Sequence, residues 1–181
     1  MINSNEADLV IEGDDIIKLY RPHVKLNKQI AEFVFLNQFQ HTHYVPRLYS
    51  TLDDVIQHHF IRMQYMAGYD TLTKTLKIIK SYPTDTQQWI KTMVVDELIA
   101  ARQAIGKDIY YTDLHMNNVL VDLNNGAFAP ALGVNTMHVV FIDPGRSETY
   151  SEASKEWLIN VAKHMNVVKM MRNRLNVLNN T

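Results

Sequence analysis

The chain has 181 residues, 46% hydrophobic and 20% charged, with 18 Lys plus Arg against 19 Asp plus Glu and no Cys. That length suits one domain, or two small lobes sharing a core, and the lack of Cys excludes a disulfide framework and any thiolate zinc site. Charges of both signs are mixed throughout for a net −1, which argues against nucleic acid as a partner. No run of about 18 apolar residues offers a membrane span, and no secretory signal is readable.

The first six residues, MINSNE, read as loop. Leu9 to Glu12 predicts a strand, Gly13-Asp14-Asp15 a turn, and Ile16 to Tyr20 the returning strand, stopped by Pro22. Between Lys25 and Gln40, the residues Leu26, Ile30, Phe33, Val34 and Phe39 recur at helical spacing, with Asn27 as candidate cap. Tyr44 to Thr51 and Gln57 to Tyr65 predict two more strands about a turn at Asp53-Asp54. Leu72 to Lys80 predicts a short helix. Thr84 or Asp85 is placed to cap a long one through Ile105, with Trp89, Met93, Val94, Leu98, Ala101 and Ile105 as its stripe and Gly106 as its stop. Val119 to Asp122 and His138 to Ile142 predict short strands around a loop holding Gly126, Pro130 and Gly133. Ser151 to Asn179 reads as helix in two pieces. A sheet-rich first half before a helix-rich second half is the α+β pattern.

The chemistry concentrates in Tyr111-Thr112-Asp113-Leu114-His115-Met116-Asn117-Asn118, followed after an apolar strand by Phe141-Ile142-Asp143-Pro144-Gly145. Phosphoryl transfer from a nucleotide needs one carboxylate to orient the attacking hydroxyl and hard oxygen ligands to hold Mg²⁺ on the phosphates. An Asp with an Asn five residues later supplies the first group and one ligand. An Asp at a strand end before x-Gly supplies the other. Asp and Asn are also ordinary turn and cap residues, so it is the two motifs together that point to this chemistry.

This constellation resembles the catalytic and metal-binding loops of the protein-kinase-like superfamily. The resemblance implies a bilobal fold, with a small antiparallel-sheet N-lobe carrying one helix (1–67) and a truncated helical C-lobe (68–181), forming one minimal domain. It implies Asp113 as catalytic Asp, and Asn118 and Asp143 as ligands of Mg²⁺ or Mn²⁺ beside ATP. A kinase also needs a strand Lys on the phosphates and a helix Glu to hold it. Lys18, within Ile-Ile-Lys-Leu-Tyr, and Glu32, fourteen residues on beside Phe33 and Val34, stand in that order. Ile16 shares a strand face with Lys18 and is expected against adenine. Met63 falls at the gatekeeper position, and the backbone of Gln64, Tyr65 and Met66 at the adenine-binding hinge.

Several positions depart from the family pattern. Only Asn3-Ser4-Asn5-Glu6-Ala7 stands where a Gly-rich phosphate loop belongs, so Ser4 and Asn5 are its candidate stand-ins. Tyr111-Thr112 replaces His-Arg, which removes the partner of a phosphorylated activation loop. His115 stands where a Lys is usual and is expected at the γ-phosphate. Pro144 replaces Phe, stiffening that loop. With no Ala-Pro-Glu motif in residues 146–181, the plan is similar to the minimal secreted effector kinases of enteric bacteria, the OspG and NleH group. That likeness implies a Ser/Thr protein kinase with a protein substrate, delivered into a host cell; the lack of Cys and of a readable signal suits the cytoplasm, and the truncated acceptor lobe leads one to expect an activating partner protein. Two other readings stay open: a pseudokinase scaffold for a partner protein, and a small-molecule kinase, suggested by the Asp-Leu-His spelling of aminoglycoside- and choline-kinase-like families. The pairs His41-x-His43 and His58-His59 lack metal-site spacing. Trp89, Trp157 and the Met165–Met171 stretch read as packed helix.

Overall fold

The computed structural model describes residues 2–3, 5–107, 109–111, 115–123, 137–143, 147–149 and 151–179. It is α+β, with the two-part plan the kinase-like resemblance leads one to expect. Strands β1 (Ile2–Asn3), β2 (Ala7–Glu12), β3 (Asp15–Tyr20) and β4 (Phe60–Gln64) form one antiparallel sheet in that order. Gly13, at φ 62°, makes the β2–β3 turn, a conformation open to Gly at no steric cost. The register sets Leu9 and Ile61 on either side of Lys18, and Ile16 opposite Met63.

Helix α1 (Leu26–Phe39) packs on this sheet through Phe35, Leu36 and Phe39, which meet Val55 and Ile61 in the core. Asn27 lies inside the helix, whose first flanking residue is Lys25 with no side-chain cap. Two further expectations change here. Tyr44 to Thr51 is no strand: it carries one isolated bridge, Leu48 to Met63, and runs beside β4 through Tyr49 and Ser50 N–H bonds to the Arg62 carbonyl. Asp53-Asp54 is no turn but the first turn of α2 (Leu52–His58), a second helix beside the sheet. The Thr51 hydroxyl accepts from the Asp54 N–H while the Asp54 carboxylate accepts from the Thr51 N–H at 2.7 Å, a reciprocal capping box.

The C-terminal part is built on α4 (Thr84–Ile105), which follows α3 (Leu72–Ile78). Pro83, not Thr84 or Asp85, flanks its start, and Gly106 ends it with an N–H bond to the Arg102 carbonyl. Ile90, Val94, Val95, Leu98 and Ile105 are its buried face, with Trp89 and Met93 at the rim of that stripe. Against it lie α5 (Ser151–Met165) and α6 (Val168–Asn179). They are separate because Asn166 adopts φ 58°, and the bonds Val167 N–H to Ala162 O and Asn166 N–H to Lys163 O close a Schellman motif. Short strands complete the fold: β5 (Asp70–Thr71), β7 (Val119–Val121) and β8 (Val139–Phe141) form one sheet, β6 (Ile109–Tyr111) and β9 (Ser147–Thr149) another. Among the described residues no helix is long and apolar enough to cross a membrane.

Candidate functional site

On β3, alternation turns Lys18 inward with Ile16 and Tyr20. Lys18 is 4% exposed and Glu32, on the sheet-facing side of α1, is 3% exposed. Two charges so buried are stable only when paired. The Lys18 Nζ donates to Glu32 Oε1 at 3.0 Å and to Oε2 at 2.8 Å. It also donates to Asp143 Oδ1 at 2.7 Å, across 125 residues of sequence. Burial draws the Lys18 ammonium down, but the carboxylates of Glu32 and Asp143 outweigh it and hold its pKa above the usual lysine range. Burial pushes the Glu32 carboxyl up, against the pull of Lys18.

Asp143 reaches this place from the β7–β8 hairpin. Ile142 donates its N–H to the Asn118 carbonyl at 2.9 Å, and Asn118 Nδ2 donates to the Asp143 carbonyl at 3.2 Å. The Phe141 N–H bonds the Tyr44 carbonyl, tying β8 to the segment after α1. Asp143 sits at φ 50°, a left-handed state few non-glycine residues adopt, fixed by these bonds and by Lys18. His115 is exposed and precedes the 3₁₀ turn Met116–Asn118. Its Nδ1 accepts from the Asn117 N–H at 3.2 Å, which places the ring proton of a neutral imidazole on Nε2.

Lys18, Glu32 and Asp143 form the polar end of a cavity of about 230 Å³ between the N-terminal sheet and the hairpin. Leu9, Ile16 and Met63 line it from the sheet, Leu120 and Ile142 from the hairpin, and Gln64, Tyr65, Met66, Pro46 and Tyr69 complete it. The slot is therefore apolar on two sides, with one ammonium held between two carboxylates in its lining. At its hinge edge the Gln64 N–H is taken by the Arg47 carbonyl and the Tyr65 N–H by the Asp14 carbonyl. Among the described residues this leaves the Met66 N–H as that stretch's donor.

Of the residues expected from the sequence, Ile16, Lys18, Glu32, Met63, Gln64, Tyr65, Met66 and Asp143 meet around this cavity, and Asn118 adjoins Asp143. Asn5 is an exposed bend residue and does not line it. Asp113 and Ser4 lie outside the described residues, as do Pro144 and Gly145. Sequence reasoning missed Leu9, Tyr20 and Leu120. Their signal was alternation: Leu9 faces as its partner Lys18 does, and Leu120 stands between Val119 and Val121, both fully buried on the other face.

No protein-family model matches the chain, and no curated protein does. Among solved structures it is similar to "WaaP in complex with acyl carrier protein", with a TM-score of 0.45 and 11% identity, covering 92% of this chain and 70% of that one.

Proposed function

We propose that the chain is a minimal kinase-type phosphotransferase that takes MgATP and transfers its γ-phosphoryl group to a protein hydroxyl, Ser or Thr by the resemblance of its motifs. One observation carries the reading: Lys18, Glu32 and Asp143, from three separate elements, meet at the polar end of an apolar slot. A lysine clamped by a helix glutamate is a cation of fixed place, which binding of phosphates requires. Ile16 and Met63 would cover one side of adenine and Leu120 the other, with the Met66 N–H as donor. At about 230 Å³, below the roughly 300–1,000 Å³ of sites that enclose a drug-sized ligand, the slot suits the base rather than the whole nucleotide.

Asp143 and Asn118 offer a carboxylate and an amide oxygen, hard donors that suit Mg²⁺ or Mn²⁺. Asn118 Nδ2 donates to the Asp143 carbonyl, which orients the amide, and its Oδ1, the hard donor of that group, is the atom a cation would take. Among the described residues no three His, Asp or Glu side chains form a metal cluster; a cation here would lean on phosphate oxygens and water as well, as Mg²⁺ does. Bound with the nucleotide, the ion supplies neutralisation of phosphate charge.

In this reading Lys18 holds the phosphates, Glu32 positions Lys18, and Asp113 orients the acceptor hydroxyl. His115 presents Nε2–H to the γ-phosphate, and Ser4 and Asn5 replace the Gly-rich loop. Residues 1–67 and 68–181 form the two walls of the cleft. Catalysis comes from positioning and charge, with no covalent intermediate on the protein. An activating protein partner is part of the proposal. The test offers γ-labelled ATP and Mg²⁺ with a generic protein substrate, and separately with hydroxylated antibiotics and choline. Label on protein Ser or Thr is expected. Label on a small molecule would overturn the acceptor, and ATP binding without transfer to any acceptor would favour a scaffold.

A further inference from the structure

The Tyr20 hydroxyl reaches the same carboxylate as Lys18. The two residues share the inward face of β3, and Tyr20 is 8% exposed. Its O–H donates to Glu32 Oε2 at 2.5 Å, the oxygen that also receives Lys18 at 2.8 Å. Its ring lies beside the ammonium, 5.2 Å from centroid to Nζ. Among the described residues the hydroxyl bonds to Glu32 alone, whereas Lys18 divides its protons between Glu32 and Asp143.

That difference matters once an anion enters the cleft. Lys18 must then serve phosphate oxygens too, and its hold on Glu32 is diluted. A carboxylate 3% exposed keeps its place only while its oxygens stay satisfied. Tyr20 is a donor with no competing claim. It is also well fixed: the Tyr20 N–H bonds the His59 carbonyl at 2.9 Å, and His59 Nδ1 meets Gln29 Oε1 at 3.1 Å. Gln29 lies one turn before Glu32 on α1, so the same residue ties down the strand end and the helix. Such support from rigid elements is what a precise site needs.

We propose that Tyr20 is a positioning residue of the nucleotide site, holding Glu32 Oε2 so that the carboxylate keeps Lys18 directed at the phosphates. This rests on Lys18 being the phosphate-binding cation. The experiment is MgATP titration by calorimetry on the wild type, Tyr20→Phe, Glu32→Ala, the double variant and Lys18→Met, each shown folded by circular dichroism. Tyr20→Met, flexible and without a donor, is carried in parallel should the phenylalanine variant not fold. Tyr20→Phe is expected to weaken MgATP about tenfold, the scale of one hydrogen bond to a charged group. In the Glu32→Ala background the same change is expected to alter the dissociation constant by less than about twofold, because the hydroxyl then has nothing to hold. In transfer assays the loss falls on KM for ATP more than on kcat.

Wild-type affinity in both Tyr20 variants, beside a clear loss in Lys18→Met, would overturn the role of Tyr20 and leave the nucleotide site standing. An equal loss in both Glu32 backgrounds would also overturn it, since the ring would then act through packing. Wild-type affinity in Lys18→Met would remove the nucleotide site itself.

Discussion

Lys18 is held by two carboxylates and is itself what keeps Glu32 buried as an anion. Replacing it by Met keeps the length and removes the charge, leaving Glu32 with Tyr20 as donor. Breaking one side of a buried pair costs about 3–5 kcal/mol, so Lys18→Met is expected to lower stability by that order in urea unfolding at pH 7. The sign of its pH dependence follows from Glu32. Burial raises the Glu32 pKa; a group raised in the folded state contributes stability below its unfolded pKa, about 4.3, and loses it as pH rises through the folded value. Without Lys18 that rise grows. The deficit of Lys18→Met is therefore expected to shrink as pH falls from neutral towards 4, and a deficit independent of pH would contradict the pairing.

His138 titrates in the opposite sense. Its Nδ1 meets the Tyr69 hydroxyl at 3.0 Å. Burial holds its pKa below the ordinary value, against the opposing charge of Asp122, while His43 acts both ways, its ring lowering and a backbone hydrogen bond raising it. A depressed pKa contributes stability that is present above about 6.5 and lost as pH falls through the folded value. His138→Gln is thus expected to flatten the decline of melting temperature between pH 7 and 5. An unchanged slope would place that decline elsewhere.

At the scale of elements, the break between α5 and α6 depends on one left-handed residue. Asn166→Ala places a Cβ-bearing residue without Asn's tolerance at φ 58°, and is expected to cost about 1 kcal/mol. Asn166→Gly should be neutral or slightly stabilising in the same thermal melts. Equal melting of both variants would show that the Schellman turn does not decide the helix end. The two-piece helix was legible in the sequence, as were β2, β3, α1 and α4, because each carries a strong period or a clear stop. Tyr44 to Thr51 was not. It is extended and apolar enough to look like a strand, but Pro46 lacks a donor and the Ser50 hydroxyl takes the Arg62 N–H at 2.7 Å, so no ladder forms. Asp53-Asp54 has the composition of a turn, but Thr51 before it changes its meaning: Thr-x-x-Asp is a capping box, and it makes those two acids the start of a helix.

The site was legible for a related reason. A lysine in an apolar strand and a glutamate in an apolar helix are costly unless they meet, so Lys18 and Glu32 announced each other. The apolar lining was harder. Leu9 and Leu120 look like any core residue until the register shows which face they take.

For the molecule as a whole, one apolar cluster runs from Phe35 and Ile61 in the sheet part through Phe141 to Leu98, Leu158 and Met171. The cavity lies where the two parts meet, so its walls share that cluster. Leu98→Ala, at a fully buried position, is expected to cost about 2–5 kcal/mol in one cooperative transition, with far-UV circular dichroism and Trp fluorescence moving together. Two separated transitions would mean that the parts fold independently and the cleft is held by little.

The measurement on which the functional account stands or falls is transfer of labelled γ-phosphate from MgATP by the wild-type protein beside Asp143→Ala. The account predicts label on a protein hydroxyl with the wild type, and a loss of at least about a hundredfold, near 2.7 kcal/mol of transition-state stabilisation, in the variant. Equal transfer by both proteins would contradict it, because the phosphates would then be reacting away from the carboxylate that Lys18 holds at the end of the cavity.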